Sequence, residues 1–258
     1  HIDYLHFPLI RNQSIPHLTT LHNRQDLSEL RALYAEYDDI PVVTISDSQR
    51  RQLPPCNWIG TVYHGLPLDL FDVNPRGGDC RAFVGRISPA KGPDRAIEIA
   101  RRAGITLKIA AKVDAADKEY FDACIRPLLD GPYVEFIGEI SDAEKNDFYG
   151  NAMALLFPID WPEPFGLVMI ESMACGTPVI AWRNGSVPEI IDDGVTGRIV
   201  DSLDEAVAAI GEVVRYDRTA VRRRFEERFD ARRMAADYVS LYEQLQTVDF
   251  TLTMPQEV

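Results

Sequence analysis

Glu163 and Glu171 stand eight residues apart, with Pro164, Phe165, Gly166 and an unbroken apolar stretch from Leu167 to Ile170 between them. Pro164 biases Glu163 away from helical dihedrals and into an extended loop. Gly166 permits a sharp turn or a close approach of the backbone to a ligand. From Leu167 the pattern reads as a helix, which puts Glu171 in its early turns. A loop that feeds a helix start presents N–H groups and a partial positive charge, the setting a phosphate prefers. One carboxylate precedes this anion site and one follows it. A ligand with phosphates in its middle and hydroxyls at both ends suits the arrangement, and a nucleotide sugar is such a ligand.

Two further groups point the same way. Gly85-Arg86-Ile87-Ser88-Pro89-Ala90-Lys91-Gly92 reads as a strand-to-helix turn with two glycines and two cations. Arg86 and Lys91 there match the needs of a diphosphate, most of all one that departs with its charge uncovered. Arginine can grip two oxygens, and lysine acts as a mobile point charge. In Asn184-Gly185-Ser186-Val187-Pro188-Glu189, Ser186 and Glu189 have capping-box spacing. Gly185 would turn backbone N–H groups toward a phosphate. The plainer readings are solvated acids for the glutamates and surface charges for the two cations. The coincidence of all of them with the glycines argues against those readings.

The elements that must position these groups alternate. Strands are expected at 16–22, 42–46 and 58–63, with a helix from Asp26 to Tyr37 between the first two. Asn74-Pro75-Arg76-Gly77-Gly78-Asp79 reads as a linker. Beyond it come strand Cys80–Arg86, helix Pro93–Ala103, strand Thr106–Ala111 and helix Lys118–Leu129. Strand Val134–Ile137, helix Ser141–Gly150, strand Ala154–Phe157, the helix after Gly166 and strand Val179–Trp182 follow. Gly176-Thr177-Pro178 ends the helix that carries Glu171. Such alternation implies an α/β fold with a parallel, doubly wound sheet, in which ligands sit beyond the carboxyl ends of strands.

Composition narrows the classes. The 258 residues are 46% hydrophobic and 26% charged, ordinary for a globular protein with a sizeable core. A formal charge of −13 argues against a nucleic-acid partner. Cys56, Cys80, Cys124 and Cys175 show no metal or redox spacing and read as reduced, mostly buried thiols of a cytoplasmic protein. No apolar run is long enough to span a membrane. Residues Arg215–Arg233 hold eight arginines and four acids. The expectation is a solvated helix pair laced with ion pairs. The alternative is weak contact with anionic lipid at the inner face of a membrane.

The segments around Glu163 and Glu171, with GRISPAKG upstream and GSVPEII downstream, resemble the retaining glycosyltransferases of family 4, which have a GT-B fold. The resemblance runs from about Thr19 to about Leu245. It implies a doubly wound, Rossmann-like donor domain at 74–228, an incomplete acceptor-side domain at 1–73, and a C-terminal helix and tail at 229–258 that cross back onto the first part. By the same resemblance, Arg86 and Lys91 hold the donor diphosphate, Glu171 binds the ribose hydroxyls and Glu163 faces the transferred sugar. The backbone at Phe165, Gly166 and Leu167 meets sugar and phosphate, with Gly85 and Gly185 beside it and Gly138 near the base. His22 reaches the sugar from the first domain. His64-Gly65-Leu66-Pro67 resembles the entry to the interdomain hinge, where His64 reads as structural.

The implied reaction is metal-independent transfer from a UDP-, GDP- or ADP-sugar to a sugar or lipid-linked acceptor, without a cofactor. No metal-binding aspartate pair is visible. The departures also carry an expectation. Only about 73 residues precede the linker, Asn23 stands where a glycine often follows the histidine, and Lys112 stands where relatives commonly have glycine. The chain is therefore expected to bind donor but to transfer poorly without an N-terminal portion or partner chain. The rival readings are a non-catalytic nucleotide-sugar-binding subunit and another GT-B enzyme such as an epimerase.

Overall fold

The computed structural model describes residues 3–11, 13 and 15–247. Strands β1 (Thr19–Thr20), β2 (Val42–Thr44) and β3 (Trp58–Thr61) form a parallel sheet in that order. Six more strands form a second parallel sheet. They are β4 (Cys80–Arg86), β5 (Leu107–Lys112), β6 (Val134–Gly138), β7 (Ala152–Phe157), β8 (Val179–Trp182) and β9 (Gly197–Val200). Their order is β6-β5-β4-β7-β8-β9. The chain winds outward from β4 to β6, returns to the other side of β4 and winds outward again. The reversal leaves a crevice between the carboxyl ends of β4 and β7.

The second sheet is apolar on both faces because helices cover both. Leu167–Ala174 and Arg218–Phe229 bury Met169, Ile170, Met173, Val221 and Phe225 against one face. Pro93–Ala103 and Leu203–Val213 bury Ile97, Ala100, Ala209 and Ile210 against the other. Ser141 and Glu144 form a true capping box at the helix Asp142–Gly150.

The first sheet is shorter than its sequence pattern suggests. The strand expected over 16–22 is reduced to two residues. The expected helix Asp26–Tyr37 runs only over Leu30–Glu36. Ser46 ends the second expected strand early, because its hydroxyl caps a helix over Asp47–Gln52 that the apolar pattern does not announce. The expected helix Lys118–Leu129 breaks into a short turn, a wide π turn over Phe121–Ile125 and a 3-10 turn over Arg126–Leu128. Pro127 accounts for the break, since it lacks the N–H that a continuing helix needs.

The two sheets are joined twice at one place. Leu66 N–H donates to the Phe229 carbonyl (2.9 Å), and Ala231 N–H donates to the Leu66 carbonyl (3.0 Å). Gly65 is required here, because a Cβ would press on the Asp230 carbonyl. The last helix, Ala231–Thr247, then lies on the first sheet. Leu241 and Leu245 are buried, and Met234 and Tyr238 pack with Val43 and Val62. The Tyr238 and Thr20 hydroxyls bond at 2.9 Å. Tyr242, on the same helix, is 47% exposed.

The arginine-rich stretch corrects its sequence reading in part. Arg223, Arg224 and Arg232 face solvent as expected. Arg218, however, is buried and donates to the carbonyls of Asn74, Gly150 and Ala152 and to the Thr177 hydroxyl. Arg222 donates to the carbonyls of Leu68, Phe71 and Ala174, and Arg233 to those of Tyr63 and His64. These guanidinium forks fasten the connecting segment to the helices beneath it. Among the described residues no helix is long and apolar enough to cross a membrane.

Candidate active site

Two loops meet at the crevice. The loop after β4 runs through a 3-10 turn, Pro89–Lys91, into Gly92, whose left-handed backbone (φ 67°) starts the helix Pro93–Ala103. The loop after β7 carries Glu163. The two are bound together by Asp160 N–H to the Ala90 carbonyl (2.8 Å) and by Arg95 to Asp160 (2.5 Å). Lys91 is thereby brought onto Glu163, 72 residues away, and their Nζ and Oε2 form a short ion pair. The indole N–H of Trp161 donates to the same oxygen at 2.9 Å. Lys91 Nζ also stands 4.9 Å from the Trp161 ring centroid and 6.0 Å from that of Phe157, within cation–π range.

Gly166 turns this loop into the helix Leu167–Ala174. Its φ of 81° lies in the left-handed region, and a Cβ would collide with the end of Met169. The first N–H groups of a helix have no acceptor within it. Here that end opens on the crevice with Leu167 half exposed. Glu171 sits one turn further on and is as buried as Glu163, 9% against 8% exposed. Its carboxylate accepts from the Tyr149 hydroxyl at 2.7 Å and from Lys145 at 3.2 Å. Burial, and then the Glu171 charge, push the Tyr149 phenol well above its ordinary range, so it remains a donor.

The first sheet supplies the opposite wall. His22, Ile45 and His64 line a cleft of about 240 Å³ with Glu163, Pro164, Phe165, Gly166 and Leu167. The rings of His22 and His64 stack with centroids 5.4 Å apart, and His64 meets Phe165 edge-on at 4.9 Å. Asp3 holds the His22 segment by accepting the His22 backbone N–H at 2.7 Å. Burial, with His22 and Arg233 adding to it, pulls the His64 pKa down to about 4. Burial also lowers that of His22, against the pull of Asp3. At neutral pH both rings are therefore uncharged.

Lys91, Glu163, His22, Phe165, Gly166 and Leu167 thus converge, and Glu171 stands on the same helix. Arg86 does not join Lys91. Its half-exposed guanidinium faces Asp117 (3.4 Å) and Asp114 (3.8 Å) after β5. Lys112 also pairs with Asp114, at 3.0 Å, and is exposed. Gly85 and Gly138 lie at the ends of β4 and β6 with positive φ and open space where a Cβ would be.

The capping-box reading of Ser186 and Glu189 is overturned. The Ser186 hydroxyl donates to the Phe165 carbonyl (2.7 Å), and its N–H donates to the Glu163 carbonyl (3.0 Å). Gly185 lies flat against Glu163, whose backbone N and O any Cβ would overlap. It supports the loop. Of the cysteines, Cys80 and Cys175 are buried, Cys56 is half-buried and Cys124 is exposed.

Trp161, Tyr149 and Lys145 escaped the sequence reading. Trp161 had a signal, an aromatic two residues before the loop acid. Tyr149 and Lys145 had none, because they reach Glu171 from a separate helix. A larger hollow of about 990 Å³, lined by residues including Gln25, Arg31, Gln52 and Cys56, holds none of the selected residues.

The comparisons with known proteins bear on this geometry. The family described as glycosyl transferases group 1 matches residues 76–229, more than half of the chain. A D-inositol 3-phosphate glycosyltransferase of Frankia alni is 34% identical over 143 residues, covering 51% of this chain and 35% of that protein. One of Mycobacterium tuberculosis strain F11 is 31% identical over 205 residues, covering 72% and 41%. The chain thus spans less than half the length of these curated relatives. Among solved structures, sucrose-phosphate synthase from Thermosynechococcus elongatus aligns with a TM-score of 0.78 at 23% identity, over 93% of this chain and 70% of that one. Anabaena HepE, solved with UDP and glucose, aligns with a TM-score of 0.75 at 18% identity, over 89% and 72%. These neighbours share the two-sheet GT-B architecture, and by the match over 76–229 the chain belongs to the group 1 glycosyl transferases.

Proposed function

We propose that the β4–β7 crevice binds a nucleoside-diphosphate sugar, and that the protein transfers the sugar to a hydroxyl acceptor with retention and without a metal. The acceptor class is a sugar or lipid-linked sugar. In this reading residues 74–228 hold the donor, while 1–73 and the returning helix form the acceptor-side wall. One observation carries the proposal: the Lys91–Glu163 pair sits at the strand-order reversal, beside the helix start at Gly166–Leu167 and opposite His22 and His64.

The chemistry follows from charge. The bond from the anomeric carbon to the diphosphate oxygen breaks, and its electron pair stays on the diphosphate. Lys91 lies on a flexible stem and can turn from Glu163 to that new charge. The helix start adds N–H donors, and Arg86 would exchange Asp114 and Asp117 for phosphate oxygens. Glu163, released from Lys91, is left to accept hydroxyls of the sugar. The acceptor oxygen bonds to the anomeric carbon on the face the diphosphate leaves. Bonding on that same face conserves configuration, and the acceptor's proton passes to the departing diphosphate oxygen. His22 and His64, uncharged, help to hold the sugar and to exclude water. Glu171, near the helix start and already an acceptor, is placed for the ribose hydroxyls.

The names of the relatives and the UDP in HepE support this reading. Its test is calorimetric titration of the chain with UDP, GDP and ADP, followed by a donor-turnover assay with the corresponding sugars. Saturable binding of at least one diphosphate is expected. No binding of any, together with no turnover, would refute it.

A further inference from the structure

Glu189 lies outside the crevice, and nothing in the proposed chemistry uses it. It is nevertheless one of the most fully engaged side chains in the protein. Its side chain is 13% exposed. Oε2 accepts the Asp47 N–H (2.8 Å) and the Tyr63 hydroxyl (3.0 Å), and Oε1 accepts the Ser48 N–H (2.6 Å) and faces Arg51 (3.4 Å). All four donors belong to residues 47–63, on or beside the first sheet, while Glu189 follows β8 of the second. Its own carbonyl accepts from Arg228, which also pairs with Asp192 at 2.7 Å.

The same segment is moulded onto the Glu163 loop. Ser186, wholly buried, donates twice to that loop, at the Glu163 and Phe165 carbonyls. Gly185 has no room for a side chain against Glu163. Asn184 donates to the Ile159 carbonyl at 3.1 Å. Four residues from Ser186 to Glu189 therefore connect the loop that carries Glu163 to the sheet that carries His22 and His64. An acceptor must be held near attack distance between those two walls, so their spacing matters to any reaction there.

We propose that Glu189 is a positioning residue that fixes this spacing, acting through Ser186 on the Glu163 loop and through Asp47, Ser48 and Tyr63 on the opposite wall. The consequence for transfer rests on the function proposed above, whereas the coupling itself does not. Glu189→Gln is not a mild change here. An amide presents one oxygen and one NH2 group, so one pair of the four donors would meet a donor. Tyr63→Phe removes a single donor and keeps the charge, which covers the case in which the glutamine variant does not fold.

The test is residue-resolved amide hydrogen exchange on the whole chain, for the unaltered protein and both variants. Glu189→Gln should speed exchange about tenfold or more at Asp47 and Ser48, and also at Ser186, whose N–H bonds Glu163. Tyr63→Phe should give the same pattern at smaller size. Affinity for whichever of UDP, GDP and ADP binds tightest should stay within about twofold, while kcat falls and donor KM holds. Unchanged exchange at Asp47 and Ser48 would overturn the proposal. So would faster exchange there with Ser186 unchanged, since that is a local contact without coupling. If the unaltered protein neither binds nucleotide nor transfers sugar, the functional reading fails and the exchange pattern still decides the role of Glu189.

Discussion

Glu163 and Glu171 share a residue type, a loop-helix unit and nearly equal burial, yet their surroundings differ in kind. Glu163 is held by a cation and an indole that arrive from the β4 loop and from its own loop, and it faces two uncharged histidines across a cleft. Glu171 is held by a phenol and an ammonium group from the helix Asp142–Gly150, within the second sheet's own layer. The first carboxylate thus depends on the meeting of two loops and looks onto a second body. The second depends on one rigid layer. A carboxylate where two loops and a second sheet meet suits a reacting sugar, and one within a single layer suits a constant piece of the ligand such as ribose. Sequence spacing alone does not separate the two roles, but their partners do.

The largest expected effect comes from cutting the Glu163 side. Lys91→Ala leaves a buried carboxylate without its cation and, in the proposed reaction, a departing diphosphate without a stabiliser. Turnover should drop by on the order of 10²- to 10³-fold, the scale of one lost electrostatic stabiliser. Donor binding should fall less. Equal losses in kcat and binding would make Lys91 a mere clamp and erase the contrast with Glu171.

Glu171→Ala should do the opposite. Nucleoside-diphosphate affinity should weaken roughly ten- to a hundredfold, as for a lost charged hydrogen bond. The buried Tyr149 hydroxyl also loses its acceptor, so a stability loss of about 1–3 kcal/mol is expected in thermal unfolding. A normal affinity alongside the stability loss would leave Glu171 purely structural.

Acid should disturb the Glu163 side through His64. The His64 pKa is about 4 in the folded protein and near 6.5 when unfolded, so between those values the unfolded chain binds the extra proton. Stability therefore falls as pH drops from about 6.5 toward 4, by at most about 3 kcal/mol from this group. His64→Asn should flatten that part of the pH–stability curve. An unchanged curve would mean His64 is not held uncharged by its burial.

A backbone variant sharpens the comparison most finely. Gly185→Ala forces a Cβ against the Glu163 backbone at a left-handed φ of 55°. Strain of about 1–3 kcal/mol from the dihedral, with the backbone overlap added to it, should fall on the Glu163 loop and spare Glu171. Transfer should slow with nucleotide affinity intact. Equal damage to both would show that the two carboxylates are not supported separately.

The two regions also differ in how far they could be read from sequence. Five of the six strands of the second sheet lie within about two residues of the runs expected for them, because the buried faces of a parallel sheet leave continuous signals; β9, Gly197–Val200, was not anticipated. The glycines at 166 and 92 mark backbone conformations that only they adopt easily, so the turns that aim Glu163 and Lys91 were legible. The first sheet was not: Thr19–Thr20 is too short for a pattern, and Ser46 closes an apolar run by capping a wholly polar helix, Asp47–Gln52. Arg86 could not be told from Lys91 because its partners, Asp114 and Asp117, lie on another strand's loop. Ser186 and Glu189 matched a local motif while their bonds run to the Glu163 loop and the first sheet. Local chemistry is written in local spacing, and contacts across 20 to 140 residues are not.

The central claim is that Glu171 serves the nucleoside part of the donor while Glu163 serves the transferred sugar. It is tested most directly by calorimetric titration of UDP, GDP and ADP into the unaltered chain, Glu171→Ala and Glu163→Gln. One diphosphate, lacking any sugar, should bind the unaltered chain and Glu163→Gln within about threefold of each other, and bind Glu171→Ala roughly ten- to a hundredfold more weakly. Equal weakening in both variants, or weakening in Glu163→Gln alone, would contradict the division of labour between the two carboxylates.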